Sequence, residues 1–463
     1  MGISPSRSRY SLWAAGLFFL ATLLIGLIFT RNAGAADALA DPALALRNSV
    51  VPLNGPWKFH IGDDAHWAEP ALDDSAWESV DLTPPANAHD DDVGLTGYVP
   101  GWQTRGHRGY SGYAWYRLRI ATEAPPDESL ALIGPPYVDS AYQLFVNGRL
   151  LGEFGNFSGA TPTVYGIHRP KLFPLRPGDL SDENTNGSVI ALRVWMGAWM
   201  LADPKSGGVY IAPLLGTTAA ATAQYRAQWW ETIRGYLVDA VEGAMFWLLA
   251  LGVWLLARFD RSNLAYRWTA VALLFVGIAR ANQAFFFWWS LESYQGIEIV
   301  TGILMTPLSL AAWTMAWYHW SKPPRFAWLP AAVGWLTLTL MASTTLRRSW
   351  FYGAFSPSFE TALRYCSLSV RLAFLVLTLL LLFRVLLQPS RERWILGAAM
   401  LIVSVGLFAS ELSLIGIPGI WFPFGVGVSR TEYAYAIFDV ILVALLLRRL
   451  SSIRIVRTSL SAA

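Results

Sequence analysis

From residue 236 onward the sequence repeats one pattern, with apolar stretches at 236–257, 264–289, 296–320, 327–345, 365–387, 394–415 and 431–447. Each is close to the ~20 residues that an α-helix needs to cross the hydrocarbon core of a bilayer. No other feature limits the fold as strongly, because a segment in lipid must satisfy its backbone amides internally, and helices do so. The charges between these stretches alternate. Arg258, Arg261 and Arg267, then Lys322 and Arg325, then Arg384, Arg391 and Arg393, then Arg448, Arg449, Arg454 and Arg457 fall on one side. The opposite connections hold no basic residue at 290–295, Arg347, Arg348 and Arg364 at 346–364, and Arg430 alone at 416–430. The middle connection runs against the trend, but the sum predicts that the bundle begins outside and that the C-terminus lies inside. Trp288, Trp289, Trp317, Trp320, Trp328, Trp350, Trp394 and Trp421 gather at the expected span ends, as interfacial aromatic belts do.

The first half reads differently. Residues 1–36 carry Arg7 and Arg9, an apolar run over 12–29 and then Ala33-Gly34-Ala35, the layout of an export signal, either cleaved or kept as an anchor. Residues 37–230 alternate apolar and polar side chains in short runs, at Tyr113 to Ile120, Ala141 to Val146 and Val189 to Trp195, separated by turn signals at Asn147-Gly148, Pro177-Gly178 and Asn186-Gly187. Short strands so spaced predict a β-sandwich. The joint to the bundle is expected to be short, around Gln224 to Arg234, with the bundle over 231–450 and a short basic tail over 451–463. A single cysteine forbids an internal disulfide, so the exported domain must be held by core packing.

Composition excludes several classes. With 54% hydrophobic and 14% charged residues the chain is too apolar for a wholly aqueous protein and too rich in aromatic residues for disorder, coiled coil or collagen. The formal charge of +3 invites a nucleic-acid reading. Split by segment, it is about +3 for 1–36, −8 for 37–230 and +8 for 231–463, so the exported domain is acidic and nucleic acid is not an expected partner.

Two stretches carry a resemblance. One runs Leu53-Asn54-Gly55-Pro56-Trp57-Lys58-Phe59, then Gly62-Asp63-Asp64, Trp67, Asp73-Asp74-Ser75-Ala76-Trp77 and Tyr113-Ala114-Trp115-Tyr116-Arg117; the other runs Val138-Asp139-Ser140-Ala141-Tyr142 into Phe145-Val146-Asn147-Gly148-Arg149-Leu150-Leu151-Gly152. In order and spacing they resemble the galactose-binding-like jelly roll that forms the sugar-binding domain of family 2 glycoside hydrolases. Followed by seven spans, the whole is similar to the bacterial seven-transmembrane receptors with diverse intracellular signalling modules. The resemblance implies a mixed membrane protein, an N-terminal all-β jelly-roll sandwich followed by a seven-helix transmembrane bundle, in the bacterial inner membrane. It also implies an extracytoplasmic small-molecule or carbohydrate ligand. Members of that receptor family usually continue into a kinase, cyclase or phosphatase domain, whereas this sequence runs about 16 residues past its last apolar stretch. The output is therefore expected on a separate cytoplasmic signalling protein. The competing expectation is an accessory or transport protein for envelope polysaccharide.

No enzyme activity and no cofactor are expected. Glycoside hydrolysis needs two carboxyl groups facing one another across the bond, and Asp63-Asp64 and Asp73-Asp74 are turn neighbours suited to bonding backbone amides. The six histidines, His60, His66, His89, His107, His168 and His319, lack metal-ligand spacing, and Cys366 lies in an apolar stretch. Asp90-Asp91-Asp92 is either a set of Ca²⁺ ligands or a solvated loop. The Gly-rich loop from Tyr98 to Tyr113 supplies the candidate ligand-facing residues Trp102, Arg105, His107, Arg108 and Tyr110, which would otherwise cover the end of the sandwich. Trp57, Trp77 and Trp115 are expected in the core. Ionisable residues in the apolar stretches are costly and so informative. The expected pairs are Arg280 with Asp439 inside the bundle, and Asp239 or Glu242 with Arg371 toward its outer entrance, serving either as a switch or as helix packing.

Overall fold

The computed structural model describes residues 50–460 apart from 92–93, 121–128, 165–167, 181–186, 261, 290–291, 322–325, 352–353, 388–389, 418 and 422–426. The expected export segment, 1–36, lies outside the described residues.

The strands, in chain order, are β1 (Val50–Pro52), β2 (Trp57–Ile61), β3 (Glu78–Val80), β4 (Gly112–Ile120), β5 (Leu130–Ile133), β6 (Val138–Asp139), β7 (Ala141–Val146), β8 (Arg149–Phe154), β9 (Leu172–Pro174), β10 (Ser188–Met196), β11 (Gly208–Val209) and β12 (Leu214–Thr217). They form a six-stranded antiparallel sheet, β3-β2-β4-β10-β7-β8, a four-stranded one, β1-β12-β5-β9, and the short pair β11-β6. Period-two alternation explains the layering. Ile190, Leu192, Val194 and Met196 of β10 join Ala114, Tyr116 and Leu118 of β4 and meet Leu130, Leu132, Phe173 and Leu215 of the other sheet in one core. The opposite face of the large sheet is also covered: Trp115 and Ala191 are buried beneath Trp67 and Trp77. That is why β10 is buried along most of both faces.

The motifs behind the family resemblance have structural explanations. Arg117, whose side chain is fully buried, donates from Nε to Asp74 at 2.8 Å and from Nη2 to the Glu69 carbonyl at 3.1 Å, and its Nη1 bonds the Trp67 carbonyl. It thus clamps the covering loop onto the sheet. Asn147 and Gly148, at φ 47° and 79°, form the two-residue turn of the β7–β8 hairpin. The acidic pairs split. Asp64 and Asp73 accept from the backbone amides of His66 and Ser75, as turn residues do, while Asp63 and Asp74 reach across to Arg193 and Arg117.

β12 passes directly into α1 (Thr218–Gly235), whose Thr217 cap accepts from the Ala220 amide. The strands of the sandwich therefore end at Thr217, and residue 230 falls inside a helix whose Ala221 packs on Ala131 and Ile133 of the sheet. After a break at Tyr236 follow α2 (Leu237–Phe259), α3 (Leu264–Trp288), α4 (Tyr294–Ser321, with a π-helical segment over Glu298–Met305), α5 (Leu329–Leu346), α6 (Pro357–Leu386), α7 (Arg391–Leu407), the short α8 (Ala409–Leu414), a hairpin of β13 (Ile420–Trp421) and β14 (Val428–Ser429), and α9 (Arg430–Leu460). Six of the seven apolar stretches each fall on one helix, whereas the stretch at 394–415 is split at Phe408 between α7 and α8. Among the described residues five helical segments, Thr218–Phe259, Leu264–Trp288, Tyr294–Ser321, Leu329–Leu346 and Pro357–Leu386, are long and apolar enough to cross a membrane, and an apolar helix over 393–407 is shorter. The backbone over 451–460 continues α9 as helix.

Candidate functional site

The sandwich meets the bundle through a chain of rings. Tyr98 stacks on Tyr210 at 5.2 Å, Tyr210 packs on Tyr137 at 4.5 Å, and Tyr137 lies 4.1 Å from the buried His168 ring. His168 then contacts Phe287 of α3 at 5.5 Å, and Phe287 stacks face to face on Tyr236 at 3.7 Å. Hydrogen bonds reinforce this path: Tyr236 Oη lies 2.9 Å from His168 Nδ1, Thr232 donates to the His168 carbonyl at 2.8 Å, and the Tyr294 amide donates to the Val164 carbonyl at 2.8 Å. The Tyr294 ring, at the start of α4, also stacks on Trp199 at 5.6 Å. The joint is therefore a packed apolar interface fixed by oriented polar contacts.

Behind Tyr210 sits Asp139, wholly buried. Its Oδ2 accepts from the Gly207 amide at 3.0 Å and from the Tyr210 hydroxyl, while Oδ1 has no hydrogen-bond partner among the described residues. Burial lifts this carboxyl to about 6, against the downward pull of the Tyr210 and Gly207 hydrogen bonds.

Immediately beyond Tyr236 the bundle carries a cluster of charges. Arg280 on α3 lies 2.5 Å from Asp239 and 3.0 Å from Glu242, both on α2, and 2.8 Å from Glu432 on α9. One guanidinium thus ties three helices together at the sandwich end of the bundle. Close packing of α2 on α3 makes this reachable: a Cβ at Gly243 would stand 3.0 Å from the Ala281 nitrogen and 3.2 Å from the Gly277 carbonyl, both backbone. Glu432 is held independently by the Ser429 amide at 2.8 Å. Beside the cluster is a cavity of about 140 Å³ whose lining includes Arg280, Gln283, Thr301, Ser309, Thr431 and Tyr435.

These pairings correct the expected ones. Arg280 does not pair with Asp439, because α9 begins at Arg430 and so brings Glu432 level with Asp239 and Glu242. Asp439 is seven residues farther along, about 10 Å at 1.5 Å per residue. It is buried, and its Oδ1 has no hydrogen-bond partner among the described residues. Arg371 of α6 pairs with Glu411 of α8, with Oε2 at 2.7 Å, and bonds the Leu407 carbonyl at 3.0 Å, because the turn at Phe408 aims Glu411 at α6. Glu432 was the residue that sequence pattern missed.

The five expected ligand-facing residues divide as well. Trp102 is 1% exposed, so it faces the core: it packs against Phe59 at 6.0 Å and against Gly207, where a Cβ would come within 2.5 Å of the indole. Tyr110 donates to the Tyr113 carbonyl at 2.5 Å and accepts from the Gly62 amide at 3.1 Å, which closes its own loop. His107 lies 2.7 Å from Glu78 and against Phe59. Arg105 is half-buried and Arg108 exposed, so these two present cations at the surface. Asp90 binds its own loop through the Gly94 and Leu95 amides, Asp91 pairs with Lys205 at 2.9 Å, and Asp92 lies outside the described residues. Among the described residues no group of three or more His, Cys, Asp or Glu is arranged to hold a metal ion.

Over about a third of its length the chain is similar to solved structures of glycoside hydrolases. These include Bacteroides uniformis beta-glucuronidase 2 (20% identity, covering 36% of this chain and 18% of that one, TM-score 0.26). A beta-glucuronidase from glycoside hydrolase family 2 (19%, 39% and 18%, 0.25) and Parabacteroides merdae beta-glucuronidase (17%, 36% and 22%, 0.25) match similarly. The chain spans about a fifth of the length of these structures. No family model and no curated protein matches it. The expectation that the chain is no enzyme is corrected by this finding: the solved structures it resembles are themselves enzymes, and the exclusion does not stand. At these identities and TM-scores the likeness assigns no activity to this chain.

Proposed function

We propose that the protein is a sensory receptor of a bacterial inner membrane, in which an exported sandwich binds a small-molecule or carbohydrate ligand and a seven-helix bundle passes the change to a separate signalling protein inside. The observation that carries this reading is the direct coupling of the two parts. A ligand acts on a distant site only by binding one arrangement of the protein more tightly than another, and such coupling needs packed elements rather than a loose linker. The ring path from Tyr98 to Tyr236 reaches the start of α2, and Asp239 stands one turn farther along. A shift at the interface is thereby presented to the Arg280 cluster, where the starts of α2 and α9 meet α3. The Gly-rich loop with Arg105, His107 and Arg108 at its surface is the proposed ligand-facing element.

Cys366, the only cysteine, is partly exposed on α6 and serves as a reporter. The full chain in nanodiscs is screened against an oligosaccharide panel while maleimide labelling of Cys366 is timed. A binding sugar is expected to change the labelling rate in the native protein and to leave it unchanged in Arg280→Gln, with binding retained. If no sugar in the panel binds, the ligand class is wrong; if Arg280→Gln responds like the native protein, the cluster has no part in transmission.

A further inference from the structure

The hairpin of α2 and α3 carries a groove of about 570 Å³ on its outward surface. Ala250, Ala257 and Ala270 form its floor, since methyl side chains leave the space above them open, while the half-exposed Trp247 and Trp254 stand as walls. At one end lie Arg258, one residue before the end of α2, and Arg267, in the first turn of α3. The short connection between the helices puts both cations at the same level. The Arg258 guanidinium sits 5.5 Å over the Trp254 ring, which holds it at the mouth of the groove.

The dimensions of the groove suggest its occupant. From Trp247 to Arg258 is eleven residues, about 16 Å at 1.5 Å per residue, which is half of a hydrocarbon core of ~30 Å. The trough is therefore one leaflet deep, apolar along its length and cationic at headgroup level. A peptide strand laid there would leave its amides without partners, whereas an acyl chain has none to satisfy. By charge the headgroup is an anion. We propose that the groove between α2 and α3 binds one anionic phospholipid, its acyl chain along the alanine floor and its phosphate between Arg258 and Arg267. The proposal rests on the reading of the bundle as membrane-spanning, and on the charge alternation that puts this end inside.

Native mass spectrometry of the detergent-solubilised full chain, titrated with phosphatidylglycerol or with phosphatidylcholine of identical chains, tests it. One phosphatidylglycerol is expected to bind at least about tenfold more tightly than phosphatidylcholine. The preference is expected to fall to about twofold or less in the Arg258→Gln/Arg267→Gln variant and to persist in Arg258→Lys/Arg267→Lys. Ala257→Phe, which fills the trough, is expected to weaken both lipids. Equal binding of the two lipids by the native chain overturns the proposal, as does a preference that survives the glutamine variant. Displacement by glycerol 3-phosphate would overturn it in favour of a soluble phosphate ligand, and a dimer that forms in place of lipid binding would give the groove to a second copy. Recovery of the chain from the aqueous fraction without detergent would instead refute the membrane reading itself.

Discussion

Asparagine at position 139 separates the cost of a buried charge from the value of its hydrogen bonds. Asp139 is fully buried, and its carboxyl titrates at about 6 against 3.8 for the free group, chiefly because burial disfavours the ionised form, with Asp203 adding to the effect. A folded-state value above the unfolded one means that the folded chain holds the proton more tightly. Stability from this group is therefore greatest below about pH 4 and is lost as pH rises through about 6. Integrated between about pH 5 and about pH 8 the loss is about 1.4 kcal/mol, or roughly 3–6 °C in the unfolding midpoint of a domain of this size. In Asp139→Asn the amide oxygen accepts from Tyr210 and Gly207 as before, and nothing titrates. Thermal unfolding of the purified full chain, followed by tryptophan fluorescence, is expected to show the native midpoint falling by that amount relative to the variant from about pH 5 to about pH 8. Parallel curves for the two proteins, or a native chain that gains on the variant with rising pH, would refute the reasoning.

Three further outcomes follow from the same packing. Arg117→Met, which strands the Asp74 carboxylate and two loop carbonyls, is expected to lower stability by about 3–5 kcal/mol, read as a lowered denaturation midpoint, with Asp74→Leu added back restoring part of it. Gly243→Val drives a branched side chain into the backbone of α3 and is expected to cost about 1–3 kcal/mol and to expose the Arg280 cluster, seen as faster amide exchange at the start of α2. Tyr236→Phe removes the hydroxyl that faces His168 and keeps the stack on Phe287, so a loss of only about 1 kcal/mol in thermal unfolding is expected.

Local patterns were legible because their causes are local. Period-two alternation located the strand at 141–146 to the residue, and six of the seven apolar runs each fall on one helix, the run at 394–415 being split at Phe408. The contacts between elements were not legible, because they depend on lateral packing that no single segment encodes. Arg280 and Asp439 are both acceptable charges in apolar segments, but the start of α9 at Arg430, fixed by the β13–β14 hairpin before it, decides that Glu432 reaches the guanidinium. A signal was present in Gly243 and Gly277, which mark where α2 and α3 approach closely and hence which acids lie near Arg280. Trp102 looked like a ligand-facing aromatic in a Gly-rich loop, yet the glycine that matters to it is Gly207, distant in sequence, whose missing side chain makes room for the indole.

The π-helical turns of α4 stand between the joint and the regular part of that helix. They run over Glu298–Met305, between Tyr294, which leans on the sandwich at Trp199, and the regular helix that continues to Ser321. A π segment accommodates a surplus residue relative to the α-helical ladder, and each residue of an α-helix accounts for about 100° of turn and 1.5 Å of rise. Movement of that surplus along the helix would turn the faces it passes by about 100° while advancing them by little more than an ångström. Such a change would be a rotation more than a translation.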